Sequence, residues 1–498
     1  MTAETRVMQT VVKLVLTAPT MLQDLNPVDV VATARRTFNS GTTRNLHQRK
    51  KSLRSLVNFF QEQEDAIIEC VFADSRKNRE ETRLEIYAAI SHIQHLIDNV
   101  GKWVSGENVR KRWVNTLDKI YVHSKPYGVV LLMPCWNKPI LSLLPLAGAI
   151  AAGNCVVIKP AHNGHHFGKF LATVLPSYLD PECYPIFCEK NDCVDKLLEE
   201  KFDYIYFTGT ASVGRIIHRA ANKYLTPISL QLGGKNPVYI DSSADLEQAA
   251  ARIIRGKCFN SGQTCSCPDY VLCSKPITER FVEHAKTAIE RFYPDSQHCP
   301  IVNDHQLQRL SNLLKGLDIA LGGGVDFTQR TMQPTVAVNV SPDHPIMEEE
   351  ILGPILPIVT VNSTEEAVNC INRREKPLVI YLFSKKSSVK RFFIENTTSE
   401  AVTVNDTIVE SLPYGGLGSS AMGRFDSFDT NKKIGPDKNT WGIVERVNEL
   451  RYPRPTKPKT DLAKFLLKNR RRPSWVLVVT SIVVLLALGA SFKLDLWS

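Results

Sequence analysis

The chain has 498 residues, more than one hydrophobic core can organise and enough for two or three domains. Its 43% hydrophobic and 22% charged residues describe a globular protein. The net charge of +10 is gathered between Arg451 and Arg472, where nine basic residues face one acidic, Asp461. That placement excludes a basic groove on the body of the protein, so nucleic acid is not an expected partner.

Residues 1–25 read as an extension in which Val11 to Leu16 is apolar but too short to cross a membrane. From Asn26 to about Lys102 the pattern is helical, with Leu56, Phe59, Phe60, Ile67, Cys70 and Val71 at spacings of three and four. Lys102 to Val122 is polar and reads as an excursion from the body. Tyr127 to Met133 is then a continuous apolar run, which predicts a strand buried on both faces. It ends in Pro134-Cys135-Trp136-Asn137-Lys138-Pro139.

A small-residue helix, Ala147 to Asn154, precedes a second strand over Cys155–Ile158, which ends in Lys159. A lysine at the carboxyl end of such a strand sits where open α/β sheets bind ligands. Tyr204 to Phe207 is a third strand. Its Thr208-Gly209-Thr210-Ala211-Ser212-Val213-Gly214 turn suits a pyrophosphate, with a helix expected from Arg215. Gly322-Gly323-Gly324 reads as a turn, because no Lys-Ser/Thr follows it. Twelve cysteines show no regular disulfide or zinc spacing and read as reduced thiols; no metal site is expected.

The stretch Asn260-Ser261-Gly262-Gln263-Thr264-Cys265 sets a thiol after a turn, where backbone N–H groups can polarise it. It resembles the nucleophile segment of the aldehyde dehydrogenase superfamily. Arg35 to Gly41 and Phe60 to Glu64 resemble the opening helices of its class 3. In the same order come Trp136-Asn137, Lys159-Pro160, the Phe207–Gly214 turn, Leu232-Gly233-Gly234-Lys235, Glu349-Glu350-Ile351-Leu352-Gly353-Pro354, Val404-Asn405-Asp406 and Leu412 to Gly418.

The resemblance implies an α/β fold with a Rossmann-like cofactor domain, an α/β catalytic domain and a small bridging element. Residues 26–230 would bind the cofactor, with the bridging excursion near 103–124. Residues 231–425 would form the catalytic domain, and 426–472 a bridging segment and basic linker. It also implies a homodimer, an aliphatic aldehyde as substrate and NAD or NADP as cofactor. Cys265 would attack the aldehyde and Asn137 would hold the alkoxide. Trp136, Lys159, His162, Gly209, Thr210 and Gly214 would line the dinucleotide. Glu350 would hold the nicotinamide ribose, with Leu352 replacing an aromatic contact.

Several positions depart from the family. Its general base, a glutamate, is Gln231 here, and an amide cannot take a proton from water. His162 stands where an acidic residue would repel a 2′-phosphate, which weakens strict NAD preference. Thr210 replaces serine, Ala421 replaces glycine, and the segment before Leu412 is shorter than the class 3 pattern. Two alternatives stay open: transfer of the thioester to CoA or another thiol, and a non-catalytic membrane-bound family member.

Trp475 to Phe492 is an 18-residue run without a charge, about 27 Å as a helix, which fits an endoplasmic-reticulum bilayer. Arg470-Arg471-Arg472 would keep its flank cytosolic, and three prolines make the preceding linker extended. Residues 475–492 are therefore expected to be a single-pass C-terminal transmembrane helix, as in the membrane-anchored fatty-aldehyde branch of class 3.

Overall fold

The computed structural model describes residues 26–105, 107–108, 121–122, 124–188, 194–294, 299–408, 421–422, 433–437 and 461. The N-terminal extension, the shortened segment before Leu412 and the expected anchor over 475–492 lie outside these residues. Among the described residues no helix is long and apolar enough to cross a membrane.

Four helices open the chain: α1 (Pro27–Asn39), α2 (Leu46–Glu62), α3 (Glu64–Ser75) and α4 (Arg79–Trp103). Asn26, Asn45 and Asn78 start three of them, each side chain accepting first-turn N–H groups that the helix itself leaves unpaired. Leu56, Phe59, Phe60, Ile67, Cys70 and Val71, the expected apolar stripe, are all buried. Within the expected excursion, Glu107–Asn108 pairs antiparallel with Tyr121–Val122.

Next come β1 (Val129–Met133), α5 (Leu144–Ala152), β2 (Cys155–Ile158), α6 (His165–Val174), β3 (Tyr204–Thr208), α7 (Ala211–Asn222) and β4 (Ile228–Gln231). β1 starts two residues later than its apolar run. Gly128 has φ +141° and a Cβ there would overlap the Asp203 carboxylate, which instead accepts the Val129 N–H at 2.8 Å. Tyr127 is left outside, 62% exposed.

The later strands are β5 (Asn236–Ile240), β6 (Pro268–Cys273), β7 (Asp318–Leu321), β8 (Thr335–Val338), β9 (Ile355–Thr360), β10 (Val379–Phe383), β11 (Ala401–Val404), β12 (Ala421–Met422) and β13 (Lys433–Asp437). Helices α8 (Leu246–Cys258) and α9 (Lys275–Phe292) flank β6 in sequence. Gly322 and Gly323, at φ +77° and +94°, make the turn expected after β7.

Two sheets result. The first has the order β12-β4-β3-β1-β2, parallel apart from the β12 edge. The second has the order β13-β11-β10-β5-β6-β9-β8-β7, parallel apart from β7. Both faces of the second are covered: Val238, Ile240 and Val271 pack with α8 and α9, while Tyr239, Tyr270 and Leu272 turn to the opposite core. Strands buried on both sides read as unbroken apolar runs, and most of these do.

Candidate active site

In the first sheet β1 lies between β2 and β3, so the strand order reverses there. Open α/β sheets hold ligands beyond the carboxyl ends of the strands at such a point. β1 delivers Trp136 and Asn137, β2 delivers Lys159, β3 delivers Gly209 and Thr210, and β4 ends at Gln231.

The dinucleotide turn fits its expected ligand. The buried Thr208 hydroxyl has no hydrogen-bond partner among the described residues. Thr210 is the N-cap of α7 but makes no side-chain cap bond; its hydroxyl pairs with that of Ser212 at 3.0 Å. First-turn N–H groups are thereby left for an anion such as a pyrophosphate. Gly209 lies against the Phe207 ring, and its N–H donates to the Gln231 carbonyl at 3.0 Å. The helix begins at Ala211, not Arg215, so Gly214 sits in its first turn rather than in the loop. A Cβ on Gly214 would lie 2.7 Å from Leu232 Cδ2, so this glycine lets the helix close on the sheet. His162 is exposed, Lys159 and Trp136 are half-buried, and Asp74 accepts the His166 and Phe167 N–H groups at 2.9 and 3.0 Å.

The segment that carries Cys265 follows α8 through a backbone that side chains rarely adopt. Asn260, Ser261 and Gly262 have φ of 48°, 52° and 74° in succession. A Cβ on Gly262 would overlap the Gly353 carbonyl, so this position requires glycine. The strain is held by neighbours. The Gln263 amide nitrogen donates to Asn260 O (3.1 Å) and Pro300 O (3.0 Å), while its oxygen accepts from Val302 N (2.8 Å). From β5, the Asn236 amide donates to the carbonyls of Cys265 (2.8 Å) and Cys267 (3.0 Å). From β10, the Tyr381 hydroxyl donates to the carbonyl of Ser266. Asn137 Nδ2 reaches across from the first sheet to the Gln263 carbonyl at 2.8 Å.

Cys265 is half-buried. Loss of hydration pushes its thiol up to about 12; the Lys138 ammonium pulls it down, while Cys135 and Glu350 add a smaller push upward. Cys265 therefore rests as a thiol at neutral pH.

Gln231 Oε1 accepts from the Tyr206 hydroxyl at 3.2 Å. Glu350 lies against Gly233, where a Cβ would overlap its carboxylate, and accepts the Gly234 N–H. Burial, then Asp269, raises its carboxyl to about 8, against the pull of Lys235 and Lys257. Asp269 is bound to Lys235 Nζ at 2.6 Å and lies 3.7 Å from Lys257 Nζ. Leu352 has φ +49°, between Ile351, whose N–H donates to Asp269 at 3.2 Å, and buried Gly353. Among the described residues no group of three or more His, Cys, Asp or Glu side chains is arranged to hold a metal ion.

The model of the aldehyde dehydrogenase family matches residues 16–434. The chain belongs to this family. It is 42% identical over 439 residues to aldehyde dehydrogenase family 3 member B1 of Rattus norvegicus, covering 85% of this chain and 94% of that one. It is 40% identical over 469 residues to family 3 member A2 of Mus musculus, covering 90% and 96%. A Canis lupus familiaris relative named "aldehyde dehydrogenase, dimeric NADP-preferring" is 41% identical over 416 residues, covering 81% and 92%. These relatives place the chain with the class 3 enzymes. The solved structure of Staphylococcus aureus AldH in a substrate-bound state superposes with a TM-score of 0.77 at 32% identity, covering 80% of this chain and 90% of that one.

Within this aldehyde dehydrogenase, Asn137 joins the segment of Cys265 directly, and Glu350 and Lys138 act on the thiol electrostatically. Sequence reasoning attached no role to Lys138, Asn236, Tyr206 or Asp269. Lys138 adjoins Asn137 and was open to notice. Asn236 and Tyr381 act through strand pairings that no local pattern shows.

Proposed function

We propose that the protein oxidises medium- or long-chain aliphatic aldehydes to carboxylic acids, with NAD+ or NADP+, through a thiohemiacetal and a thioester on Cys265. The Asn137–Gln263 hydrogen bond carries this reading, because it holds a neutral donor to the backbone two residues before the thiol. Cys265 loses its proton and its sulfur adds to the carbonyl carbon. The oxygen gains charge and accepts an N–H of Asn137. The dinucleotide, when bound, is the acceptor for the hydride that leaves this carbon.

The thioester must then leave Cys265. Gln231 can orient a water but cannot take its proton. Glu350, with its carboxyl near 8, is mostly protonated at pH 7, so only a small fraction of it is available there as a base. Deacylation is therefore the slow step when water is the acceptor. The same glutamine favours a second reading, in which CoA or another thiol takes the acyl group by exchange and needs no general base. A non-catalytic role fits poorly with a nucleophile loop held by four separate side chains.

The name of the dog relative supports a dimer and use of NADP. The uncharged run over 475–492 supports a C-terminal anchor with the enzyme body in the cytosol, and its length suits the endoplasmic reticulum. A membrane-bound enzyme meets aldehydes dissolved in lipid, which favours long chains.

Rapid mixing with a long-chain aldehyde and NAD(P)+ tests the central point. The expected trace is a burst of reduced cofactor followed by slow turnover. Adding CoA leaves the slow rate unchanged if water is the acceptor and raises it if a thiol is. Fast turnover without a burst would refute slow deacylation.

A further inference from the structure

The opening helices reach the turn that sets Cys265. α3 ends at Arg76, whose φ of 50° swings the chain into Lys77. Two contacts lead from this corner to the Cys265 loop. The Lys77 ammonium lies 5.1 Å from the centre of the Phe259 ring, and Phe259 caps α8 immediately before the left-handed residues Asn260 and Ser261. The Cys299 thiol donates to the Arg76 carbonyl at 3.7 Å, and the Cys299 carbonyl accepts the Ser261 hydroxyl at 2.6 Å.

Lys77 is itself fixed. It is 1% exposed and paired with Glu85 on α4, which is 4% exposed. A buried ion pair is a poor source of stability, because desolvation of both charges offsets their attraction. What it can supply is a fixed place for the ammonium. Here that place is over an aromatic ring, whose electron-rich face attracts a cation.

We propose that Lys77 is a positioning residue for Cys265: clamped by Glu85, its ammonium fixes the Phe259 ring and, with it, the strained turn that leads to the thiol. It touches no reacting atom and moves no proton. A turn with three successive positive φ values persists only where its neighbours over-determine it. Loosening Phe259 therefore lets Cys265 drift, and a displacement of about 1 Å can cost on the order of 10²-fold in rate.

The inference rests on Cys265 being the nucleophile of the oxidation proposed above. Removing Lys77 alone would strand the Glu85 carboxylate, so the test replaces the pair in the full-length protein. Lys77→Met with Glu85→Met exchanges two buried charges for apolar groups, a change that is often neutral for stability. The melting temperature, dinucleotide affinity and aldehyde KM should stay close to wild type, while the burst rate should fall about tenfold or more. Phe259→Leu should slow the burst as well. Combining all three substitutions should slow it no further than the pair does, because both changes cut the same link.

Alkylation of Cys265 by iodoacetamide, read by mass spectrometry of the labelled peptide, needs neither aldehyde nor cofactor and should move the opposite way. Loss of hydration keeps Cys265 a thiol, so a loosened loop that admits water should react faster, about threefold for each unit by which its pKa falls. A wild-type burst in a stable pair variant overturns the proposal. So do losses that multiply in the triple variant, which would separate Lys77 from the ring. Should the pair variant not fold, Phe259→Leu decides alone: a wild-type burst sinks the proposal, and a slow burst with quicker alkylation upholds it. A protein that oxidises no aldehyde yet shows the alkylation pattern would refute the proposed reaction and leave the positioning role standing.

Discussion

The side-chain nitrogen of Asn137 donates to the main-chain oxygen of Gln263 at 2.8 Å, two residues ahead of Cys265. An amide nitrogen has two hydrogens. One is spent on fixing the group and the Cys265 loop to each other; in the reaction proposed above the other would serve the substrate oxygen. The same contact ties Asn137, beyond the end of β1, to the loop that Asn236 and Tyr381 hold from the second sheet.

Asn137→Ala should therefore lose more than a bystander would. Removing one oxyanion donor costs about 10²–10³ in kcat. The burst should fall by that order while dinucleotide affinity, which the resemblance assigns to the ends of β2 and β3, stays near wild type. A burst within a few-fold of wild type would take Asn137 out of the reaction.

The parts of this site that were legible in the sequence are those set by local chemistry. β1 and β2 announce themselves as apolar runs rich in Val, Ile and Leu, and the residues that follow them reach the carboxyl edge, where such sheets bind ligands. Gln231 was visible as an amide in place of an acid. What stayed hidden depends on contacts between distant segments. Asn236 on β5 pins the carbonyl of Cys265, Tyr381 on β10 pins that of Ser266, and Asp269 helps to set the charge state of Glu350. Gly214 was misplaced by a helical turn for the opposite reason: a glycine in a hydroxyl-rich stretch reads as loop, but packing on Leu232 draws it into α7.

Glu350 should mark the pH dependence of stability. Its carboxyl is raised to about 8, mainly by burial, so the folded protein retains a proton that the unfolded chain releases near the ordinary carboxylate value. Between these two values the folded state binds more protons, and stability falls as pH rises, levelling off above about 8. Glu350→Gln should flatten that slope. Thermal unfolding of both proteins from pH 5 to 9 measures it, and parallel slopes would contradict the assignment.

His162 should admit a 2′-phosphate. The side chain is exposed beyond the end of β2, three residues after the Lys159 that the resemblance places at the adenosine ribose. His162→Glu would set a negative charge there, and kcat/KM for NADP+ should drop by about tenfold or more with little change for NAD+. Equal losses with both cofactors would mean that the residue affects the turn and not the phosphate.

Removing residues 475–498 should free the enzyme from membranes without ending its action on short aldehydes, because the run lies beyond every motif of the site. Carbonate extraction of cell membranes makes the comparison. A truncated chain that still resists extraction would locate the anchor elsewhere.

The Gln231 position separates the two fates of the thioester. It ends β4, with its side-chain oxygen engaged by Tyr206 and its main chain holding Gly209 of the cofactor turn. A glutamate there keeps nearly the same shape, accepts the same Tyr206 hydroxyl and gains the ability to take a proton from water. If water is the acceptor, Gln231→Glu should leave the burst unchanged and raise steady turnover by about 100-fold, within the usual range for a general base. If a thiol is the acceptor, the wild type should already turn over quickly with CoA, and the glutamate should mainly increase wasteful hydrolysis in its absence. Fast wild-type turnover that neither the substitution nor a thiol alters would mean that another base does the work, and Glu350, ionising near pH 8, would be the first to replace.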